Sequence, residues 1–563
     1  MPVLDEAVPA KAWRTEVVTR EISSSAVKTA EGRFLLLLPT KKGVFFMLAK
    51  ILMILIFFGI TVGIGVYCRK KATDVNGFVL GGRSVGPWLT AFAYGTSYFS
   101  AVVFVGYAGQ FGWKYGMAAT WIGIGNAIIG SLLAWVVLGR RTRVMTHHLG
   151  AKTMPEFFEK RFGSKGLKIA AALITFIFLI PYTASVYNGL SRLFSMAFPF
   201  IPYDVCVIVM AVLTGVYVII GGYMATALND FIQGIIMIVG IIAVIGSVLA
   251  GQGGFTEAVM SLSKVTDVSD TSALAGMEGA FTSMLGPDPL GLLGVVILTS
   301  LGTWGLPQMV QKFYAIKSEK AISKGTIIST VFAVVVSGGC YFLGGFGRLF
   351  GIDLSASGAP IYDSVIPNML ATLSDILVGI VIVLVLSASM STLSSLVLTS
   401  SSTITLDLIR GNIAKKMDEK KQLLSIRIFI AIFIVLSAAI AIFQYNSAST
   451  FIAQLMGISW GALAGAFLAP FMYGLYSKRI SKAAVWTSFI IGVGLTVSNM
   501  FLKFIASPIN AGAIAMVAGL IAVPIVSLIT PKPKNVDIGE IFSCYDKEVT
   551  VQKKIAISDN EDK

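Results

Sequence analysis

The sequence predicts an all-α polytopic membrane protein of about 13 transmembrane helices, with a 5+5 inverted-repeat core. Three observations carry this reading. Of the 563 residues, 55% are hydrophobic and 13% charged, about half the charged fraction of a soluble domain. Apolar runs of about 20 residues, enough to cross a bilayer, recur along the chain between short charged loops. Two of those runs are interrupted by glycine, proline and hydroxyl residues at places that would be equivalent in two five-helix halves.

The spans fall near residues 44–68, 88–111, 117–138, 167–197, 203–222, 230–250, 289–310, 326–347, 373–402, 425–443, 450–476, 484–503 and 509–530. Residues 1–46 read as an atypical polar extension and 47–530 as the transmembrane domain. Within that domain, 44–68 is peripheral, 88–476 holds the core spans, and 484–530 holds the additional ones. Residues 531–563 read as a charged, mobile cytoplasmic tail, and the Gly-, Ser- and Thr-rich stretch 251–288 as the longest exposed connection.

Orientation follows from the basic residues, which concentrate in cytoplasmic loops. One set of loops carries Arg69, Lys70, Lys71 and Arg83, then Arg140, Arg141, Arg143, Lys152, Lys160, Arg161 and Lys165. It continues with Lys312, Lys317, Lys320 and Lys324, then Arg410, Lys415, Lys416, Lys420 and Lys421, and Lys478, Arg479 and Lys482. The other side holds little beyond Lys114, Lys264, Arg348 and Lys503. The expectation is an outside N-terminus and a cytoplasmic C-terminus in a multi-pass plasma (inner) membrane protein. The net charge of +15 is then a topology signal and not a nucleic-acid footprint. Lys41 and Lys42, beside the first span, sit awkwardly with this orientation.

Several chemistries are excluded. No P-loop is present, so ATP-driven pumping has no site. Gly123, Gly125 and Gly130 lie inside an apolar span, where small residues permit close helix packing. His147 and His148 occupy a basic loop without triad or metal partners. The four cysteines (Cys68, Cys206, Cys340 and Cys544) have neither metal-site nor disulfide-framework spacing. The chain reads as no enzyme, with no cofactor and no transition metal.

What remains inside the membrane is a sparse set of oxygens. The second span contains Tyr94-Gly95-Thr96-Ser97-Tyr98-Phe99-Ser100, and the seventh contains Thr299, Ser300, Gly302, Thr303, Trp304, Gly305 and Pro307. Proline removes a donor and clashes with the preceding turn, so helices break there. Freed carbonyls in such a break can face cations. The ninth span carries Ser387, Ser389, Ser391, Thr392, Ser394 and Ser395. Ser391 and Ser395, four apart, share a helix face. These hydroxyls suit either helix–helix hydrogen bonds or a hard cation such as sodium, held by neutral oxygens. Asp230, at the predicted start of the sixth span, suits either a helix-dipole role or a waypoint for a cation.

The motifs Phe78-Val79-Leu80-Gly81-Gly82-Arg83-Ser84, Thr153-Met154-Pro155-Glu156-Phe157-Phe158, Gly221-Gly222-Tyr223-Met224-Ala225, Asn229-Asp230 with Gln233, and Met390-Ser391-Thr392-Leu393 occur in order. Through them the chain resembles the sodium/solute symporter family over about residues 47–530. Its bacterial sodium/pantothenate and sodium/proline members are the ones most similar. The resemblance implies a sodium site built from the backbone carbonyls of Thr96, Phe99 and Ala388 and the side chains of Ser391 and Thr392. It implies an ion pathway through Asp230 and Arg83, and solute contacts from Ser97, Tyr98, Tyr182, Thr299, Thr303 and Trp304. Tyr98 stands where the proline carrier has an aspartate, and Thr299 and Thr303 stand where it has aromatics. These departures point away from proline within a range of amino acids, vitamins and other small carboxylates. The expected function is sodium-coupled import of a small organic solute by alternating access. Proton coupling, a channel or a sensor on the same fold are the alternatives, and a sensor would carry a soluble signalling domain larger than the tail after the last span.

Overall fold

The structure, a computed structural model, describes residues 41–198, 200–267, 277–355, 358–414, 416–447, 452–531 and 536–545. Most of the N-terminal extension therefore lies outside the described residues. Among those described, ten helices are long and apolar enough to cross a membrane, or eleven if one bent pair counts as a span. The sole sheet among them is a two-residue antiparallel pair, Asp353 opposite Ile361 and Leu354 opposite Pro360.

Helix α1, Lys41–Cys68, lies at the periphery, where Leu52 and Leu55 are exposed for contact with lipid. Its Lys50 reaches Asp375 at 2.6 Å. With Asp375 half exposed, that pair is worth at most about 1 kcal/mol. Helix α2, Pro87–Tyr98, begins on a proline at its first position, where the missing N–H costs nothing. Helix α3 is Lys165–Ala197 and α4 is Tyr203–Gly251. Helices α5, Pro289–Gly305, and α6, Pro307–Ala315, form the bent pair, at 45°. Then follow α7, Glu319–Ala333; α8, Asp375–Thr403; α9, Glu419–Ser447; and α10, Ile452–Tyr476. The last are α11, Lys482–Leu502; α12, Pro508–Ile529; and α13, Ile538–Phe542.

α4 is 49 residues long. At 1.5 Å per residue that is about 73 Å, more than twice a bilayer's apolar core of about 30 Å. Gly222 interrupts it at φ 56°, ψ −152°, a conformation reserved for glycine. A Cβ there would also sit 2.8 Å from the Phe78 carbonyl. The helical run Val102–His148 is broken in the same way at Gly116, φ 58°.

α8 is the axis of the bundle. It packs against α2, α3, α4 and α9, and every residue from Leu384 to Thr403 is buried. It continues into a wide-turn π-helix, Ile404–Ile413. π-Helical turns also occupy Val102–Tyr107, Asn126–Leu133, Trp135–Gly139 and Val334–Gly338. Each inserts a residue into the regular ladder, a feature frequent at functional sites.

Two findings depart from the sequence reading. Residues 536–545 are docked on the arginine-rich end of the bundle, whereas the whole of 531–563 was expected to be mobile. Arg141 lies between the rings of Tyr476 and Tyr545, at 4.1 and 4.6 Å, and the Tyr545 hydroxyl donates to the Leu475 carbonyl at 3.0 Å. Lys312, counted with the loop residues, is inside the protein and 1% exposed.

Candidate ion and solute site

The two interrupted helices break by different physics. Leu306 precedes Pro307, whose ring disfavours helical backbone in its neighbour, and sits extended at φ −80°, ψ 121°. No proline accompanies the other break. Phe99 turns extended at φ −95°, ψ 108°, and Ser100 restarts the helix by accepting the Val102 N–H on its Oγ at 3.2 Å. A hydroxyl at that position satisfies a donor that would otherwise be orphaned.

Ending α2 at Tyr98 releases the carbonyls of Thr96 and Phe99 from the ladder. The α8 hydroxyls meet them. Ser391 Oγ donates within 3.2 Å of the Thr96 carbonyl and 3.0 Å of the Ala388 carbonyl. Thr392 Oγ1 lies 3.1 Å from the Thr96 carbonyl, 3.3 Å from that of Phe99 and 3.1 Å from that of Ala388. All five residues are buried, none more than 1% exposed. Three carbonyls and two alcohols thus converge in one small volume, every oxygen neutral. This donor set suits a weakly held hard cation and gives nothing to a soft one.

Next to that cluster runs a polar chain. Ser97 Oγ is 2.9 Å from Ser395 Oγ. Lys312 Nζ donates to Ser395 Oγ at 3.0 Å and lies 3.8 Å from Asp230 Oδ2. Its ammonium also sits 5.1 Å from the centre of the Tyr223 ring. Asp230 is fully buried and about two helical turns past the Gly222 break. It is therefore not at a helix N-terminus, and the helix-dipole role weighed from the sequence falls away.

The other expected site residues divide into groups. Thr303 Oγ1 donates to the Gly130 carbonyl at 3.0 Å, and Trp304 Nε1 to the Ile129 carbonyl at 2.9 Å. Both pin the end of α5 to the π-helix Asn126–Leu133. Thr299 returns its hydroxyl to its own helix, at the Val295 carbonyl. Tyr182, on α3, meets Trp460 of α10 edge-on at 5.9 Å, and Trp460 packs against Gly302 of α5. The side chain of Tyr98 lies outside the described residues. Arg83 holds the arginine-rich end together. Its guanidinium donates to the carbonyls of Ala151 at 2.6 Å, Thr146 at 3.4 Å and Tyr314 at 3.4 Å. Sequence reasoning missed Lys312 and Trp460. A lone charge beside a run of polar residues and a lone aromatic in an apolar helix carry no periodic signal.

Interrupted helices facing a buried cluster of neutral oxygens, inside a bundle with an apolar exterior, define an ion-coupled membrane carrier. Residues 78–492 match the sodium:solute symporter family. The chain is 30% identical over 454 residues to sodium/proline symporter 2 of Staphylococcus saprophyticus, covering 78% of this chain and 84% of that protein. It is likewise 30% identical over 458 residues to the sodium/proline symporter of Staphylococcus aureus. A Na+-coupled sialic acid symporter, solved in a substrate-bound outward-open state, superposes with a TM-score of 0.70. That superposition covers 87% of this chain and 99% of the other at 16% identity, a likeness of fold alone. The chain belongs to the sodium:solute symporter family. It is a multi-pass membrane transporter coupled to sodium and not an enzyme.

Proposed function

We propose that this symporter imports a small organic solute (an amino acid, a vitamin or another small carboxylate) across the plasma membrane by alternating access. Sodium is held by the Thr96, Phe99 and Ala388 carbonyls and the Ser391 and Thr392 hydroxyls. The single observation that supports this reading is the meeting of those five oxygens across α2 and α8, within 3.3 Å of one another along each hydrogen bond. The 13-span, 5+5 arrangement is part of the proposal. The breaks at Phe99 and Leu306 support the repeat, and the glycine breaks at Gly222 and Gly116 support dividing two long helical runs into separate spans. The concentration of arginine at one end supports an outside N-terminus and an inside C-terminus.

Sodium arriving from outside joins α2 to α8 and favours one arrangement of the broken helices. Solute then binds between α2, α3 and α5, with Ser97, Tyr98, Tyr182, Thr299, Thr303 and Trp304 as the candidate contacts. The ligands shift the conformational equilibrium only by their difference in affinity for the two states. Asp230 lies on the ion's way inward, and Arg83 acts by holding that end closed. The membrane potential supplies about 2.3 kcal/mol per charge per 100 mV. With a sodium gradient added, one ion sustains about two orders of magnitude of solute accumulation. Proline heads the solute panel, because the curated relatives carry that name.

Replacing Ser391→Ala and Thr392→Ala together removes two of the five oxygens. Sodium-stimulated uptake in proteoliposomes is expected to need at least about tenfold more sodium, since about 1.4 kcal/mol is a factor of ten. Unchanged sodium activation in the double variant removes the site from consideration. The buried Asp230–Lys312 pair favours one rival, proton coupling, because both groups can exchange a proton. Uptake driven by a pH gradient without sodium would select it.

A further inference from the structure

Lys312 is a buried ammonium that the coupling scheme above leaves unused. It is carried on α6, beyond the break at Leu306, and it joins three other elements: Asp230 of α4, Ser395 of α8 and, through Ser395, Ser97 at the frayed end of α2. The surroundings supply oxygens in excess. Neither oxygen of Asp230 accepts a hydrogen bond, and the hydroxyl of Tyr223, whose ring lies 5.1 Å from the ammonium, is buried without a hydrogen-bond partner. The charged and titratable groups around this point are Asp230, Lys312, Tyr223 and, beyond Asp230, Tyr217, whose hydroxyl donates to the Met390 carbonyl at 2.8 Å.

A carboxylate and alcohols buried together in a low-dielectric bundle require one positive charge. The same set, one helical turn from Ser391 along α8, would hold a small monovalent cation if nothing else filled it. Here a side chain fills it. We propose that the Lys312 ammonium is a tethered cation in the oxygen site formed by Asp230 and Ser395. This symporter therefore takes up one free sodium ion, and deleting the ammonium opens a second sodium site. The inference rests on the reading that sodium binds at Ser391 and Thr392. It adds that the neighbouring oxygen cluster is closed to a second resident ion by the protein's own cation, so that the one coupled ion passes Asp230 on its way inward without lodging there.

The test is the displacement of 22Na+ by unlabelled sodium from the purified full-length protein, the wild type and variants side by side. The Hill coefficient cannot exceed the number of sites, so the wild type is expected near about 1 and Lys312→Met between about 1 and 2, with about twice the 22Na+ bound at saturation. Lys312→Arg keeps the charge and is expected to behave as wild type. Lys312→Met with Asp230→Asn leaves no bare carboxylate, should fold if the single variant does not, and is expected to return to one ion. A wild type that binds two ions overturns the proposal whatever the variants do, and so does a folded Lys312→Met that still binds one. The underlying reading fails separately. Adding Ser391→Ala and Thr392→Ala to Lys312→Met should leave the Asp230 ion alone, whereas two ions retained there would reject the Ser391–Thr392 site and spare the second.

Discussion

Gly222 shows how much of this protein is decided by single residues. Its backbone occupies a region that side chains strongly disfavour, and the Phe78 carbonyl fills the space where a Cβ would go. Gly222→Ala is expected to cost at least about 1–3 kcal/mol, seen as a lower melting temperature of the detergent-solubilised protein. Gly246→Ala, on the same helix with nothing within 4 Å of the added carbon, is expected to leave melting unchanged or slightly raised. Equal melting for both variants would mean that the break at Gly222 is made by something else. Asp230 and Lys312 are instructive at the same scale. From the sequence Asp230 reads as the first residue of a span and Lys312 as a loop residue, because a lone charge in an apolar stretch has few other cheap environments. Each is the reason the other is buried. The two misplacements have one cause, a pairing across 82 positions of chain that no local pattern displays.

Among the elements, the interruptions were partly legible. Pro307 announces the break before α6 through its own ring. The break at Phe99 was signalled only by a cluster of glycine and hydroxyl residues, and its exact position depends on α8 offering alcohols to the released carbonyls. The second half of α4 reads from the sequence as starting near 230 but runs helically from Tyr223. Helices α8, α10, α11 and α12 lie within a few residues of the runs that hydropathy marks, because length and apolarity are local properties. The junction of elements at Arg83 yields a further expectation. Its fork reaches carbonyls on two separate parts of the chain, near Ala151 and at Tyr314. A lysine lacks that geometry. Arg83→Lys should lower the maximal uptake rate and leave the sodium concentration for half-activation unchanged. A shift in half-activation instead would mean that Arg83 meets the ion directly.

For the molecule as a whole, the docked segment 536–545 closes over the arginine-rich end. Arg161 is wholly buried beneath it, donating to the carbonyls of Gly474 and Ser477 at 2.8 Å each and lying 5.0 Å from the Phe542 ring. Tyr545→Ala removes one face of the sandwich around Arg141, a cation–π contact worth about 0.5–2 kcal/mol. The expected result is faster tryptic cleavage near the C-terminus with sodium-driven uptake retained. Lost uptake with unchanged cleavage would show that the segment serves transport and not anchorage. None of this was visible in a charged stretch without periodicity, because cation–π pairs form only after the fold has brought their members together.

With sodium seated as proposed, the neutrality of its cage has an electrical consequence. The cage atoms bear no formal charge, and Asp230 is cancelled by Lys312. An empty carrier therefore moves through the bilayer's field without doing electrical work, while a carrier loaded with sodium and a solute of no net charge, such as a zwitterionic amino acid, takes one full positive charge with it. Voltage accelerates the inward, cargo-bearing half of the cycle and is blind to the return. At strongly negative potentials the current should level off at a ceiling set by how fast the vacant carrier resets.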